Sequence, residues 1–481
     1  MPPKIDQEVG CIIPEPGHWP VPPQEDIAPL ETRIWVDGCF DFFHHGHAGV
    51  MLQSRRLGKE LVVGLHSDED IAKHKGPTVM NLAERVAAVE ACRFSTFAVP
   101  HAPYVTSQAW ISHYGCQYVS HGDDITSDED GNDCYRFVKR AGRMKIVPRT
   151  PGISTTDLVG RMLLCTKDHF IKSLTAMVEG TEGSGDEHER KEKGKTMENR
   201  VREYASAPNG VDPYVQIWGW KAKHRTLERR RSSINSKGEP RQDSGKGTFT
   251  PMVEGQRPKP GQRIVYVDGG FDLFSSGHIT FLKSVSEAET AHAEQRGWFN
   301  VEAKNRRINE TGADYPPAYV IAGMHDDEVI NYYKGINYPI MNIFERGLCV
   351  VQCKYIHSVV FGAPYTPTQL YLSNLPEGMP DAVYHGSTTF MPTSNDPYKE
   401  AKELGIFAQV AEHAFQEVNA AQIVERILNK RAQYEERQRK KGQKGVGEAA
   451  VKKREAMEKE AKEAEEERLR RHRDVERQYG A

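Results

Sequence analysis

Two stretches of this 481-residue chain are copies of one another, and that repeat limits what the chain can fold into. Val36-Asp37-Gly38-Cys39-Phe40-Asp41-Phe42-Phe43-His44-His45-Gly46-His47 returns 231 positions later as Val267-Asp268-Gly269-Gly270-Phe271-Asp272-Leu273-Phe274-Ser275-Ser276-Gly277-His278. Lys75-Gly76 returns as Lys334-Gly335, Glu84-Arg85 as Glu345-Arg346, and Ala102-Pro103-Tyr104 as Ala363-Pro364-Tyr365, at offsets of 259 to 261. The change in offset places an insertion of 28 residues in the second copy, in the polar stretch 295–316. A repeat of this length is a whole folding unit present twice.

Within the first copy, apolar runs at 34–36, 60–65, 96–99, 118–120 and 144–147 alternate with helical patterns after His47, around 82–92, 107–114 and 134–141, and from Asp157. Such alternation predicts a parallel sheet with helices on both faces and a ligand site at the carboxyl ends of its strands. The repeated stretch is a strand, a tight turn and a helix whose first turn carries H-x-G-H. A helix start offers unpaired N–H groups and the positive end of the dipole, and Gly46 lets the backbone approach a ligand closely, so the turn suits a polyphosphate. Imidazoles placed there can donate to phosphate oxygens. An isolated H-x-G-H, a lysine beside a glycine or two adjacent carboxylates would ordinarily be packing, solvation or a turn; their order along the chain carries the argument. Ser154 and Asp157 approximate a capping box that opens another helix, beside Arg149.

The flanks narrow the class further. Residues 1–30 are proline-rich and acidic and read as an extended arm; 31–165 form the first unit, 166–262 a charged, then Ser/Gly/Pro-rich linker or insertion, 263–430 the second unit, and 431–481 a charged tail. The run Arg229-Arg230-Arg231-Ser232-Ser233 reads as a solvated stretch rather than a kinase target or a patch for acidic lipid. A net charge of -3 gives no reason to expect nucleic-acid binding. Eight scattered cysteines without a C-x-x-C pair point to reduced thiols, and no apolar run is long enough to span a bilayer, so a cytoplasmic enzyme is expected.

His44-x-Gly46-His47, Lys75-Gly76, Glu84-Arg85, His121-Gly122-Asp123-Asp124 and Arg149-Thr150-Pro151-Gly152-Ile153-Ser154-Thr155, in this order, resemble the signatures of the cytidylyltransferases within the nucleotidylyltransferase superfamily. With its second copy, the chain resembles the ethanolamine-phosphate cytidylyltransferase family over residues 30–165 and 263–430. The resemblance implies an α/β fold of two tandem Rossmann-like nucleotidylyltransferase domains with parallel sheets, the second degenerate. It implies transfer of CMP from CTP to phosphoethanolamine, giving CDP-ethanolamine and pyrophosphate, with Mg2+ accompanying CTP and no metal site made by the protein. His44, His47, Lys75 and Arg149 become the catalytic candidates, and Gly38, Cys39, Phe40, Arg85, His121, Gly122, Asp123, Gly152, Ile153, Ser154 and Thr155 join them around CTP. Asp37, Tyr104 and Tyr135 are candidates for the acceptor's ammonium, since a carboxylate and aromatic faces suit a small cation; core and turn roles compete for both tyrosines.

In the second copy Ser275 replaces the first histidine, His385-Gly386-Ser387-Thr388 lacks both aspartates, and no R-T-x-G-I-S-T follows. The chemistry is therefore expected in the first half, with Phe271, His278, Lys334, His385 and Gly386 marking a vestigial second site. Phosphocholine or glycerol 3-phosphate as acceptor, and a silent nucleotide-binding scaffold, are the alternatives. Peripheral membrane association and a homodimer stay open.

Overall fold

The computed structural model describes residues 4–124, 126–164, 167–223, 245–335, 338–387, 396–430 and 432–434. The Arg229–Ser233 run, Thr388 and almost all of the charged tail lie outside the described residues. A short antiparallel pair, β1 (Lys4–Ile5) and β2 (Ile12–Ile13), opens the chain. The first unit then contributes β3 (Leu30–Gly38), β4 (Glu60–Leu65), β5 (Phe97–Pro100), β6 (Cys116–Gly122) and β7 (Met144–Val147) to a parallel sheet in the order β5-β4-β3-β6-β7. Ile34, Trp35 and Val36 in β3 and Leu61 to Leu65 in β4 are buried, as expected of strands covered on both faces. The N-terminal arm is docked: Trp19 stacks on His113 at 3.5 Å and meets Trp110 and Tyr114 edge-on.

The stretch read as linker departs from that expectation. It forms helices Leu174–Val178 and Glu187–Tyr204, then β8 (Gln216–Ala222) and β9 (Gly247–Val253). The long helix is charged almost throughout, yet Asp186 and Glu189 cap it reciprocally and it buries Gly194, Val201 and Tyr204. β8 carries Ile217, Trp218 and Trp220 into the core and pairs parallel with the last strand of the second unit's central set, while β9 closes the edge antiparallel. That second unit supplies β10 (Arg263–Gly269), β11 (Ala318–Met324), β12 (Ser358–Phe361), β13 (Ala382–His385) and β14 (Phe407–Gln409). Its sheet runs β14-β13-β10-β11-β12-β8-β9, so the five strands of the repeat keep the order of the first sheet and the two linker strands extend it. The 295–316 insertion holds a helix, Val301–Thr311, seated by Arg307 against Trp298 and Tyr315.

The two units face each other across an internal two-fold. Cys92 forms an antiparallel bridge with Cys353, its own counterpart in the repeat. On either side, Arg93 N donates to Gln352 O and Lys354 N donates to Ala91 O, both at 2.9 Å. Helix Leu82–Ala91 packs on Ser276–Gln295, and helix His45–Arg55 on Ile343–Val351, the same pairing seen from each side. One apolar core runs through both units. Arg93 fastens the seam by donating to the carbonyls of Val351, Cys353 and Ile356 at 2.9, 2.7 and 2.8 Å. Replacing it by Met leaves these oxygens without their charged donor, and Arg93→Met is expected to cost about 3 kcal/mol, read from the urea midpoint. A midpoint equal to the wild type's would show that the seam does not depend on it.

Candidate functional site

The turn between β3 and helix His45–Arg55 is held in a costly backbone shape. Phe40 and Phe42 have φ of 55° and 50°, and Phe271 and Leu273 repeat it at 48° and 47°. Left-handed backbone at large side chains costs of order 1–3 kcal/mol each and persists only where surroundings enforce it. Three groups enforce it here. Arg85 donates to the carbonyl of Cys39 at 2.7 Å and to that of His66 at 2.9 Å, and pairs with Asp68 at 2.7 Å. Asp41 accepts from the N–H groups of Val79 and Met80 at 3.1 and 2.9 Å. Phe40, Phe42 and Phe43 are buried.

That shape delivers His44 as the N-cap of the helix. Gly46 N donates to His44 Nδ1 at 3.1 Å, and His44 N donates to His47 Nδ1 at 3.4 Å. Both Nδ1 atoms are therefore acceptors, which places each neutral ring's proton on Nε2 and makes each a donor there. The rings stack at 4.0 Å, with Phe40 and Phe43 packed against His47 at 5.5 and 5.9 Å. A Cβ on Gly46 would lie 2.8 Å from the His44 ring and 2.9 Å from Ile153, so only glycine lets the two motifs close on each other. Thr155 donates to Asp41 O at 3.3 Å and Ser154 caps Asp157 at 3.1 Å, setting helix Thr155–Leu164 against the same turn. Gly49 likewise leaves room for Thr150 and for Tyr204, whose hydroxyl donates to His45 O.

Lys75 ends helix Asp68–Lys75, is exposed, and is followed by Gly76 at φ 89°. Its Nζ lies 5.6 Å from the centre of the Tyr104 ring, which stacks on His74 at 3.9 Å. Arg149 is exposed, and its backbone N donates to Asp123 at 3.3 Å, tying the R-T-P-G-I-S-T segment to the His121-Gly122-Asp123 loop. His121 packs on Tyr135 at 4.5 Å and its Nδ1 lies 3.0 Å from Gly122 O. Gly152 takes a φ of 86° that bends this segment into its helix, and Gly38 accepts from His66 N at 3.2 Å at the end of β3.

Two sequence expectations change. Arg85, expected on CTP, is 1% exposed and spends its terminal nitrogens on protein oxygens, so it builds the turn from beneath. Asp37, expected on the acceptor's ammonium, is buried; Oδ1 accepts from Tyr135 at 2.7 Å, and Oδ2 from Trp35 at 2.9 Å and Thr106 at 2.8 Å. Tyr135 and Tyr104, the other two candidates for the acceptor's ammonium, are buried as well, at 4% and 6% exposed. Sequence reasoning missed Asp41, Thr106 and Tyr204; the repetition of Asp41 as Asp272, which accepts from Ile340 and Met341 in the same way, was the available signal for the first.

In the second copy the same turn is closed on itself. Ser275 Oγ donates to Val418 O at 2.8 Å, and a Cβ on Gly277 would sit 2.3 Å from that oxygen. Ser275 N donates to His278 Nδ1 at 3.2 Å, and burial pulls His278 down to about 3. Phe271 packs on His278 at 5.7 Å. Burial also lowers Lys334, against the opposing pull of Asp272, and His385 Nδ1 lies 2.9 Å from Gly386 O.

Residues 35–161 match the family model described as cytidylyltransferase-like. The ethanolamine-phosphate cytidylyltransferase of Mus musculus is 37% identical over 414 residues, covering 85% of this chain and 89% of that protein. This chain belongs to the ethanolamine-phosphate cytidylyltransferase family. The Dictyostelium discoideum member is 37% identical over 419 residues, 86% of this chain and 95% of its own. Choline-phosphate cytidylyltransferase A of Rattus norvegicus is 38% identical over 134 residues, 27% of this chain and 36% of that protein, about the length of one copy. Likeness to the ethanolamine-phosphate cytidylyltransferases thus extends through both copies.

For this cytidylyltransferase, Gly46→Ala is expected to displace the His44 ring and lower turnover about 100-fold while the unfolding midpoint moves by only a few degrees; unchanged turnover would show that the close approach is dispensable. His45, buried between the units, is pulled down to about 3, first by loss of water and then by Arg200, Arg161 and His47. The unfolded chain takes up this proton near 6.5, so the folded state loses stability as pH falls from there toward 3. By pH 5 the loss is about 2 kcal/mol, and urea unfolding of His45→Gln at pH 7 and pH 5 should show a shallower decline than wild type.

Proposed function

We propose that the first copy transfers CMP from CTP to phosphoethanolamine, releasing pyrophosphate, and that the observation carrying this is the pair of stacked imidazoles with Nδ1 atoms locked as acceptors at a helix N-terminus. A phosphate oxygen of the acceptor attacks the α-phosphorus of CTP in line, and the bond to the β-phosphate oxygen breaks with its electron pair leaving on pyrophosphate. His44 and His47 donate from Nε2 to the triphosphate, most strongly as charge builds on the leaving side. Lys75 is a mobile cation at a glycine hinge and bridges the phosphates of both substrates. Arg149, Ser154 and Thr155 receive the departing pyrophosphate, and His121, Gly122 and Asp123 read cytidine. Positioning and charge neutralisation supply the catalysis, without a covalent enzyme intermediate.

The ammonium head falls in this reading to Tyr135, whose hydroxyl donates to Asp37, and to Tyr104, whose ring centre lies 5.6 Å from Lys75 Nζ. Among the described residues no group of three or more His, Cys, Asp or Glu side chains stands ready for a metal. In this reading, as the family resemblance implies, magnesium would come with CTP, held by phosphate and water, and would supply further neutralisation of the triphosphate. No described helix is long and apolar enough to cross a membrane.

The test is pyrophosphate release from CTP with phosphoethanolamine, phosphocholine or glycerol 3-phosphate as acceptor. Release should favour phosphoethanolamine, and Lys75→Ala should lower it about 100-fold or more. Preference for another acceptor would reassign the substrate, and absence of release with all three would leave a nucleotide-binding scaffold.

A further inference from the structure

The loop that follows Lys75 is gripped by the other copy. Helix Ala420–Asn429, near the end of the second unit, sends Arg426 across the seam. Both of its terminal nitrogens reach the Glu84 carboxylate at 2.8 Å, and Nη1 also donates to Val79 O at 3.3 Å. Tyr434, 2% exposed, donates from its hydroxyl to Thr78 O at 3.1 Å. Thr78 and Val79 stand three and four residues beyond Lys75, past the Gly76 hinge. From its own side this loop is held by Asp41, through the N–H groups of Val79 and Met80. The carbonyl side of the loop is thus fixed by residues more than 340 positions away in the chain.

The internal two-fold repeats the arrangement in the other direction. Arg161 pairs with both oxygens of Glu345 at 2.7 and 2.9 Å and donates to Ile340 O at 3.2 Å, while His169 Nε2 lies 3.0 Å from Pro339 O. Pro339 and Ile340 are the counterparts of Thr78 and Val79 at the same offset of 261 that relates Glu345 to Glu84. Each copy therefore steadies the lysine loop of its neighbour. In the direction that serves the complete set of motifs, Arg426 belongs to the degenerate copy and Tyr434 to the first residues of the tail that leaves it.

We propose that Arg426 and Tyr434 are positioning residues for the reaction: they set the Lys75 loop from the second copy and the start of its tail, which thereby serve a site they do not contain. Neither touches substrate; they act through Lys75, and the inference rests on the reading of Lys75 as the phosphate-bridging cation. The physical reason is that Gly76 gives the lysine a backbone free to swing, and a swinging cation neutralises the reacting phosphates for only part of the time. Holding two consecutive carbonyls downstream, with Asp41 holding the following N–H groups, restricts that swing.

The experiment is a double-mutant cycle on the full chain. Tyr434→Phe removes one hydroxyl and keeps the buried ring, so folding is retained; Arg426→Gln is the stronger variant, with Arg426→Lys and the exchanged pair Glu84→Arg/Arg426→Glu as attempted rescues. Turnover with saturating labelled CTP and phosphoethanolamine is measured alongside KM and the unfolding midpoint. Tyr434→Phe should lower kcat about 5- to 10-fold with the midpoint nearly unmoved, and should have little further effect on the residual turnover of Lys75→Ala. A Tyr434→Phe enzyme with wild-type kcat would overturn the proposal. So would an equal fold-loss in the wild-type and Lys75→Ala backgrounds, since the effect would then not pass through the lysine. Full turnover by Lys75→Ala alone would instead remove the underlying reading of that residue.

Discussion

The guanidinium of Arg85 is the point from which the rest of the site is built. It is sealed under the turn, with Cys39 O and His66 O on its terminal nitrogens and Asp68 as its counter-charge. A buried arginine bound to carbonyls is costly to break, because both the charge and the oxygens would be stranded. It therefore can hold two phenylalanines in left-handed backbone, and that backbone in turn presents His44 at the head of its helix. Arg346 does the same work beneath the second turn, donating to Gly270 O and His325 O and pairing with Asp327. The neighbouring glutamates, Glu84 and Glu345, point the other way and receive an arginine from the opposite unit. One dipeptide thus ties a turn and an interface together, and a change in either is felt in both.

Much of this was legible in the sequence because it depends on local rules. Period and apolar runs marked the strands of the first sheet, the H-x-G-H after a strand marked a helix start, and the repeat implied a second sheet of the same kind. What escaped depends on contacts between distant residues. Arg85 follows a glutamate in a pair expected beside CTP, and nothing in its neighbours tells that its side chain turns inward. The burial of Asp37 was not legible because two of its three donors, Thr106 and Tyr135, lie 69 and 98 positions away. The linker misled through composition: helix Glu187–Tyr204 is charged on nearly every face, although Asp186 and Glu189 spelled its cap. The run Ile217–Trp220 was a strand signal hidden between two polar stretches.

The two copies have kept different things. The first retains both histidines, the lysine loop and the R-T-P-G-I-S-T segment, and leaves Lys75 and Arg149 exposed. The second retains the left-handed φ at both matching positions, 48° and 47° against 55° and 50°, yet its cap serine is spent on Val418 O. The left-handed turn is common to both copies, whereas the full set of motif residues stands only in the first. The seam explains why: the turn, the buried arginine and the outward glutamate are one mechanical unit, and half of it belongs to the neighbouring copy.

Placing both halves of a two-fold in one polypeptide has a further result. When identical subunits meet about such an axis, every substitution appears on both sides at once, so no residue can be improved as a support without being changed as a catalyst. Here Glu84 and Glu345, or Arg161 and Arg426, are separate letters of one message and can be altered one at a time. The covalent join has made the axis a place where labour can be divided.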